Sequence, residues 1–440
     1  MSELLDTAKN AVKLAKEKGA TEASASAYKS RDVELEWRDG KVEKVTEATT
    51  RGLSFTLFVD GRYSSVSTSD MRPDAVATFL EDSIAMAKTL AKDPHRYLTD
   101  PKLYEGRAKI DLELFDPAYE SVTPEKRRAM AKELEEAAMA ANKNDAIVSV
   151  TTGVSDSQWE TARVTSNGFE GENKQTTFWM SASVTAKDEG GKRPEGSQSG
   201  GSRFYAEMPK AAEIGRQGTE RAFETIGAAK IPSMVAPLIV ENRVGGRLLR
   251  AILGPLGGRA LQQKQSFLEG KLDKPIANKL LSIVDDPHVV KGFASRLYDG
   301  DGIAAKKLSV IEAGVLKSYY IDVYYGRKLG VAPTTGGSSN LLLTLGKKNE
   351  AELMKDVANG ILVTGFLGGN SNSTTGDYSF GIQGFRVEKG ERTTPISEMN
   401  ISGNIGELFH KLSAVGNDPY PYTSVKTPTL VFDGVQFAGG

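Results

Sequence analysis

Two Asp-Gly dipeptides fix how the early part of the chain turns. An alternating apolar run, Val33–Trp37, leads into Asp39-Gly40, and a second run, Leu53–Val59, leads into Asp60-Gly61. Asp-Gly favours the two-residue turn that joins antiparallel strands, because both residues tolerate positive φ and the turn matches the twist of the strands. The pattern therefore predicts consecutive antiparallel hairpins.

Helical segments flank these hairpins, and the same order of helix, strands and helix returns later in the chain. The helix signals lie at 4–15, from about Pro73, from Thr123-Pro124 and over 209–225. We predict two α+β units, residues 1–105 and 106–230. An ancient duplication would explain the repeated order, and so would a chance similarity between short α+β segments. The polar, Gly-rich stretch 188–201 is interpreted as a long mobile loop.

The pattern of predicted helices and strands changes after Ile231-Pro232. Four segments then have helical periodicity, at 243–253, 276–280, 351–358 and 405–412. The rest consists of short strands separated by glycines, a pattern typical of a strongly curved sheet. We therefore predict a third unit, residues 231–440, with a curved, barrel-like and mainly antiparallel sheet and few helices. The fold class is α+β.

The balance of charge argues against a nucleic-acid partner. The 440 residues include 56 basic and 57 acidic ones, for a formal net charge of −1. The densest basic stretch, Lys126–Arg128, runs into Glu133, Glu135 and Glu136 on one predicted helix, which indicates a solvated face with local pairing. Binding to phosphates needs a continuous basic surface, so we expect no nucleic-acid partner.

Composition also sets expectations for the compartment. Cysteine is absent, which fits a reducing environment. The content of 39% hydrophobic and 26% charged residues is ordinary for a globular protein. No apolar run is long enough to cross a bilayer, and residues 1–6 do not resemble a signal peptide. We expect a cytoplasmic protein with no membrane partner.

A metal centre in this chain would lack its usual ligands. The three histidines, His95, His288 and His410, lie far apart and have no cysteine partner, whereas a zinc site needs three or four nitrogen, sulfur or oxygen ligands. The Asp-Gly-Asp-Gly run at 299–302 has Val310 at position twelve, where a calcium loop requires Glu. We interpret this run as a turn and expect no metal or other cofactor in this chain.

Three sequence blocks resemble the TldD/PmbA family. The first extends from Tyr298 through Asp299-Gly300-Asp301-Gly302 to Gly330, the second is Gly337–Leu341, and the third extends from Gly368 to Asp418. Their joint order is far more specific than any one block. The resemblance covers essentially the whole chain, and within the family the chain is similar to the PmbA (TldE) branch.

The resemblance implies the frame of a zinc metallopeptidase, whose catalytic members carry His-Glu-x-x-x-His after an apolar strand. Here the strand is Pro237–Val240, and the three positions are Arg250, Ala251 and Pro255. A guanidinium does not lose a proton to bind a metal, and neither Ala nor Pro offers a lone pair. The cysteine that catalytic members place near the C-terminus is also missing. The resemblance thus implies no catalytic residue in this chain and zinc in a TldD-like partner.

Glycines and short polar residues make the second and third blocks candidates for peptide binding. Glycines permit close approach of the backbone, and Asn and Thr supply donors and acceptors, so an extended peptide could be held by main-chain hydrogen bonds. The alternative is that these residues only build tight turns between core strands. The candidates are Asn340, Gly368, Gly369, Asn370, Asn372, Thr375, Gly376 and Asp377.

Three functions follow as hypotheses. The leading one is a non-catalytic subunit that pairs with a TldD-like catalytic subunit, the pair degrading or maturing small unfolded peptides. The second is an independent hydrolase with an unrecognised site, although the chain has no Gly-x-Ser-x-Gly elbow and too few histidines for an easily assembled triad. The third is a peptide-binding or regulatory module, for which an isolated chain could form a homodimer. The charge pattern gives no support to the family's label of modulator of DNA gyrase.

Overall fold

The computed structural model describes residues 2–143 and 145–440. The first part of the chain forms one six-stranded antiparallel sheet with four helices. The helices are α1 (Glu3–Glu17), α2 (Pro73–Ala87), α3 (Pro124–Ala140) and α4 (Ala211–Phe223). The strands are β1 (Glu22–Arg38), β2 (Lys41–Val59), β3 (Arg62–Thr68), β4 (Ile147–Thr165), β5 (Glu170–Ala186) and β6 (Glu195–Ser202).

The predicted hairpin turns are confirmed. Asp39 and Gly40, between β1 and β2, have φ angles of 51° and 72°. Asp60 and Gly61, between β2 and β3, have φ angles of 49° and 78°. Positive φ at both central residues is the signature of the type I′ turn, which suits Asp-Gly. Local sequence therefore determines the pairing of the first three strands.

The sheet order β3-β2-β1-β4-β5-β6 is symmetric about its centre. Each half contributes three strands, which run outward from β1 in the first half and from β4 in the second. The central pair is antiparallel from Ser24 opposite Thr165 to Arg38 opposite Thr151, so the two halves form one continuous sheet. The order is the one that two copies of a single unit would give, and the duplication itself stays a prediction.

All four helices pack on the same face of this sheet. Ala23, Ala25 and Ala27 of β1 are fully buried in the cluster that includes α1 and α2. Leu35, on the same face of β1, belongs to the cluster that includes α3 and α4. Since side chains alternate between the faces of a strand, the even-numbered positions of β1 point away from the helices.

The prediction of a loop over 188–201 is wrong for its second half. Glu195–Ser202 forms β6, which pairs with β5 along the edge of the sheet. The glycines within β6 are required by close contacts: a Cβ on Gly196 would lie 2.0 Å from the backbone nitrogen of Ala222 in α4. Glycine in a strand often marks such a close approach, and its partner here lies far away in sequence.

The remaining residues form a second, β-rich domain. Its helices are α5 (Asn242–Leu253), α6 (Gly258–Gln262), α7 (Val323–Leu329), α8 (Glu350–Lys355) and α9 (Ile405–His410). Its strands are β7 (Met234–Val240), β8 (Ile283–Asp286), β9 (Leu308–Glu312), β10 (Val315–Leu316), β11 (Asn340–Leu343), β12 (Asn359–Phe366), β13 (Asn370–Ser371), β14 (Asp377–Glu388), β15 (Glu391–Asn404), β16 (Leu412–Val415), β17 (Val425–Lys426) and β18 (Leu430–Ala438).

The barrel-like sheet predicted for this domain is confirmed. The strands β12, β7, β18, β15 and β14 pair in that order, and β14 pairs back with β12, which closes a five-stranded barrel. The β7–β12 pair is parallel, and the other pairs around the barrel are antiparallel. A second sheet has the order β10-β9-β8-β11-β17. The observed class is therefore α+β, as the sequence predicts.

Three of the four helices predicted for this domain are confirmed as α5, α8 and α9. The helix predicted at 276–280 is wrong, because the amides of Ile276 and Ala277 donate to the carbonyl of Gly314 in a neighbouring turn. The short helix α7 was missed; it is set by its N-cap, Asp322, and by Gly330 at φ 68° after its last turn. In residues 2–143 and 145–440, no helix is long and apolar enough to span a membrane.

Aromatic rings and a buried arginine join the six-stranded sheet to the second domain. The Trp179 and Phe293 rings lie 5.1 Å apart, and the Phe169 and Tyr298 rings 5.0 Å apart. Arg203, only 2% exposed, donates to the carbonyl of Phe293 at 2.7 Å. Burial lowers the pKa of Arg203 to about 10. The two domains therefore meet across a packed interface.

Candidate functional site

The end of a barrel strand positions α5, the helix that carries Arg250 and Ala251, two of the three positions identified from the sequence. β7 ends at Val240, which is fully buried, and the amide of Glu241 donates to the carbonyl of Val363 in β12 at 3.0 Å. α5 starts at the next residue and buries one side, where Leu248 and Leu249 are fully inaccessible. The opposite, open side of α5 is only partly covered, and Arg250 on that side is exposed.

The three positions identified from the sequence do not point to one place. Arg250 is exposed, whereas Ala251 and Pro255 are buried. α5 ends at Leu253, and Gly254–Leu256 form a single 3-10 turn. Residues five apart on a helix point about 140° apart, so Pro255 turns toward the core while Arg250 faces solvent.

The side chains at these positions do not fit a zinc ion. The guanidinium of Arg250 is a hydrogen-bond donor without a lone pair for a metal, and the side chains of Ala251 and Pro255 have no atom that could bind one. Within the described ranges, 2–143 and 145–440, no three His, Asp or Glu side chains cluster in a way that could hold a metal. His95 follows α2, His288 follows β8 and His410 ends α9. No step of a metal-dependent reaction is therefore assigned to this chain.

The turn predicted to begin at Asp299 is confirmed. Its Oδ1 accepts the amides of Asp301 and Ile303 at 2.9 and 3.0 Å, and its Oδ2 accepts the amide of Gly336 at 3.1 Å. Asp301 Oδ2 accepts the amide of Val323, the first residue of α7, at 2.9 Å. Burial raises the pKa of Asp301. Both carboxyl groups are thus engaged in holding the chain in place.

An exposed loop, residues 367–376 between β12 and β14, contacts α5. The Arg247 guanidinium donates to the carbonyl of Gly369. A Cβ built on Gly254 would lie 4.0 Å from the Ser373 hydroxyl oxygen. The structure therefore brings the peptide-binding candidates of the third block next to the degenerate metal-binding positions.

Several of these candidates use their polar groups within the loop. The Asn372 side-chain oxygen accepts the Thr374 amide at 2.8 Å, and the Asn372 carbonyl accepts the Gly376 amide at 2.8 Å. The Thr375 hydroxyl donates to Asp377 Oδ2 at 2.7 Å. These bonds build a defined turn, which agrees with the structural alternative for these four candidates.

The remaining candidates of the loop offer backbone groups instead. β13, which begins at Asn370, pairs with β14 on one side and stands at the end of the strand order. Gly368 and Gly369 precede it at φ 141° and 85°, angles that favour glycine. The outer edge of such a strand presents unpaired amide and carbonyl groups, to which an extended peptide can add.

Asn340 lies apart from the other candidates. It is fully buried in β11, and its side-chain amide donates to the carbonyl of Asp286 at 2.9 Å and to the Ser295 hydroxyl at 2.8 Å. Its side-chain oxygen accepts the Ala294 amide at 3.1 Å. These bonds hold β11 against its neighbours within the second domain, and they do not involve the loop beside α5.

Sequence reasoning missed the charged residues that flank the degenerate positions. Glu241, 7% exposed, pairs with Arg221 at 2.8 Å and with Arg243 at 3.3 Å. Arg247 was also missed, although Arg243, Arg247 and Arg250 are spaced so that all three share one helix face. That spacing was the available signal.

Models of one protein family match the chain in three consecutive segments. The PmbA/TldA metallopeptidase domain 1 matches residues 23–87, the central domain matches 117–225, and the C-terminal domain matches 233–439. These matches span most of the chain and both structural domains.

Solved structures share the whole fold. A protein of Bacteroides thetaiotaomicron, described as a modulator of DNA gyrase, is 40% identical, and its structure matches with a TM-score of 0.97 over 100% of both chains. TldE from Thermococcus kodakarensis matches with a TM-score of 0.86 over 98% of this chain and 100% of that chain. Its sequence identity is 19%, so this likeness shows the fold alone.

Named relatives match over nearly their full length. Metalloprotease PmbA of Escherichia coli O157:H7 is 28% identical over 421 residues, which is 95% of this chain and 92% of the relative. Haemophilus influenzae has a PmbA homolog, 27% identical over 99% of this chain and 96% of the relative. It also has a TldD homolog, 24% identical over 68% and 66%. The chain therefore belongs to the PmbA/TldA metallopeptidase family, on its PmbA branch.

Proposed function

We propose that this chain is the non-catalytic subunit of a two-component metallopeptidase whose TldD-like partner holds the zinc. The pair would degrade or mature small unfolded peptides, and this chain would contribute part of the chamber and some of the contacts to the peptide. The presence of both a PmbA homolog and a TldD homolog in Haemophilus influenzae supports such a partnership.

The observation that carries the proposal is that the barrel and α5 are present, while none of the three positions expected to bind zinc has a suitable side chain. A zinc peptidase needs ligands that hold the ion and a carboxylate that takes a proton from the attacking water. Arg250, Ala251 and Pro255 can do neither. The barrel and α5 are nevertheless intact, and α5 is anchored through Glu241. A chain that has this fold but lacks the zinc ligands is expected to act together with a partner that has those ligands.

The exposed loop beside α5 supports a contribution to peptide binding. β13 ends the strand order, so its outer edge can extend the sheet by one strand of peptide. Such pairing uses main-chain groups and therefore accepts many sequences, which suits a peptidase acting on unfolded substrates.

The test is peptide hydrolysis by this chain alone, by a TldD-like chain from the same organism alone, and by their mixture, each with and without a zinc chelator. We expect the chain alone to be inactive, and cleavage by the mixture to exceed that of the partner and to disappear with chelator. Size-exclusion chromatography of the same mixture reports whether a complex forms.

The other outcomes discriminate between the remaining hypotheses. Chelator-sensitive cleavage by this chain alone would refute the proposal. Cleavage by this chain that resists the chelator would favour the independent hydrolase. A lack of any effect on the partner, together with peptide binding by this chain, would favour the regulatory module, and its own oligomeric state would then show whether it forms a homodimer.

A further inference from the structure

The segment that contains α5 and α6 has no acidic residue. Between Glu241 and Glu269, residues 242–268 include five basic side chains, although basic and acidic residues are nearly equal in the chain as a whole. The basic residues are Arg243, Arg247, Arg250, Arg259 and Lys264. Positive charge is therefore concentrated around the degenerate site.

Three of these arginines form a ridge on the open side of α5, here called the arginine ridge: Arg243, Arg247 and Arg250. Because each residue turns about 100°, the three positions lie within about 60° of one another. Leu248, on the opposite side, is fully buried. The guanidinium of Arg250 lies over Gly246, since a Cβ built there would be in ordinary contact with its Nη1 at 3.6 Å.

The first arginine in the ridge already has an acidic partner, Glu241, which it shares with Arg221. Arg243 pairs with Glu241 at 3.3 Å and donates to the carbonyl of Thr364 at 2.8 Å. Its side chain is 24% exposed. Arg243 therefore fastens α5 to the barrel and is not available for another anion.

The other two arginines are not paired with an acidic side chain among the described residues. Arg247 donates to the neutral carbonyl of Gly369 and lies 5.1 Å from the centre of the Phe380 ring. These contacts fix its position without adding a negative charge. The Arg250 side chain is exposed and forms no hydrogen bond or ion pair with any residue in the described part of the chain. Two like charges one helical turn apart repel each other, and an anion between them would relieve the repulsion.

The loop beside the ridge has no charged side chain within residues 367–376, and the acid that follows it, Asp377, accepts the Thr375 hydroxyl. Residues 367–376 contain only Leu, Gly, Asn, Ser and Thr, and the edge of β13 lies within them. A lone exposed arginine is normally just solvated. Here Arg247 contacts the loop that contains the strand edge, and the exposed Arg250 lies one helical turn further along α5. This combination suits a ligand that has both a main chain and a carboxylate.

We propose that Arg247 and Arg250 bind a carboxylate of the peptide whose main chain pairs with the edge of β13. The planar guanidinium matches a carboxylate through two parallel hydrogen bonds. The identity of the ligand as a peptide rests on the proposed function, whereas the recognition of a carboxylate rests on the ridge itself. The carboxylate could belong to the C-terminus or to an Asp or Glu side chain, and the experiment separates these sources.

The experiment measures direct binding of three peptides to the full-length chain by fluorescence anisotropy. All carry an uncharged dye at the N-terminus and share one sequence of Gly, Ala and Ser. The first is neutral with an amidated C-terminus, the second has a free C-terminal carboxylate, and the third is amidated with one internal Asp. We expect one or both carboxylate peptides to bind at least about tenfold more tightly than the neutral one, as for a charged hydrogen bond.

Variants test whether the ridge is responsible. Arg250→Gln is expected to bring the affinity of the carboxylate peptide down to that of the neutral one, and Arg250→Lys to retain part of the difference. Arg259→Gln is the matched control, because it removes the same charge from the same segment at an exposed residue outside the ridge. It should leave the difference unchanged. Melting temperatures confirm that each variant is folded.

The outcomes of the binding experiment can be interpreted without the result of the partner assay. Equal binding of all three peptides, or an absence of binding by all three, would overturn the carboxylate site. An equal loss in Arg250→Gln and Arg259→Gln would also overturn it, since general charge attraction would then explain the preference. A carboxylate preference lost only in Arg250→Gln supports the site, even if the chain has no effect on hydrolysis by a TldD-like partner.

Discussion

A buried ion pair between α3 and the six-stranded sheet allows a quantitative test of what stabilises this fold. Arg127 donates to both carboxylate oxygens of Asp156, with Nε at 2.5 Å and Nη2 at 2.8 Å. The side chains are 3% and 2% exposed. The hydrogen bonds that Arg127 donates to Asp156 raise the pKa of Arg127 above its ordinary value. The pair connects the middle of β4 to the first half of α3.

We expect Asp156→Ala to destabilise the sheet by about 3–5 kcal/mol, because it leaves a guanidinium buried without its counter-charge. Arg127→Met should cost a similar amount for the converse reason. The double variant should cost clearly less than the sum of the two, since it leaves no unpaired charge, and the difference measures the coupling between the two side chains.

The assay is urea unfolding followed by tryptophan fluorescence. The three tryptophans, Trp37, Trp159 and Trp179, all lie in the six-stranded sheet, in β1, β4 and β5. Their emission therefore reports this sheet selectively, which matters because a chain with several cores need not unfold in one step. A change in the midpoint at constant slope gives the change in stability.

Glu220→Ala provides the control. Glu220 pairs with Arg216 on α4, which packs on the same sheet, but both side chains are about half exposed. Screening by solvent limits such a pair to about 0.5 kcal/mol. If Asp156→Ala costs no more than Glu220→Ala, or if the double variant costs the full sum, the argument from burial is wrong.

Three further changes test the site and the packing. Gly369→Ala should weaken peptide binding several-fold in anisotropy, because φ is 85° and its Cβ would lie 2.0 Å from the carbonyl oxygen of Ser379; unchanged affinity would exclude the loop. Burial raises the pKa of Asp301, so the folded state is destabilised when Asp301 ionises. Asp301→Asn removes this cost, and its gain in stability over the unsubstituted chain should grow as pH rises from about 4 and then level off. Urea titrations by circular dichroism measure this gain, and a flat difference would contradict it. Gly215→Val should cost at least about 2 kcal/mol by tryptophan fluorescence, because a Cβ would lie 2.2 Å from the carbonyl oxygen of Leu134.

The parts of the fold that could be predicted from sequence are those fixed by local chemistry. Asp39-Gly40 determines its own turn, and Thr123 caps α3 through its own hydroxyl. The strand β6 could not be predicted, because the reason for Gly196 is the backbone of Ala222 pressing against it. A glycine needed for a turn and a glycine needed for a close contact look alike until the distant partner is in place.

In the candidate site, too, local chemistry could be predicted from the sequence and long-range contacts could not. The absence of metal ligands at Arg250 and its neighbours follows from side-chain chemistry and needed no structure. Asn340 was grouped with the loop residues because both lie in blocks that resemble the family, yet its bonds to Asp286 and Ser295 keep it buried in β11. The position of a residue in a block that resembles the family indicates that it is important to the family's fold. Only its contacts in the structure distinguish a role in ligand binding from a role in packing.

The arginine ridge lies between these two cases. The spacing of its members and the lack of acid in residues 242–268 can be read from the sequence alone, so a basic helix face was predictable. Which arginines have an acidic partner was not predictable, since Arg243 shares Glu241 with Arg221, whereas Arg247 is held by the uncharged carbonyl of Gly369. Those two partners come from different parts of the chain. The free charge beside the degenerate site is therefore a property of the fold, and a substitution that moves the loop should alter carboxylate binding without touching an arginine.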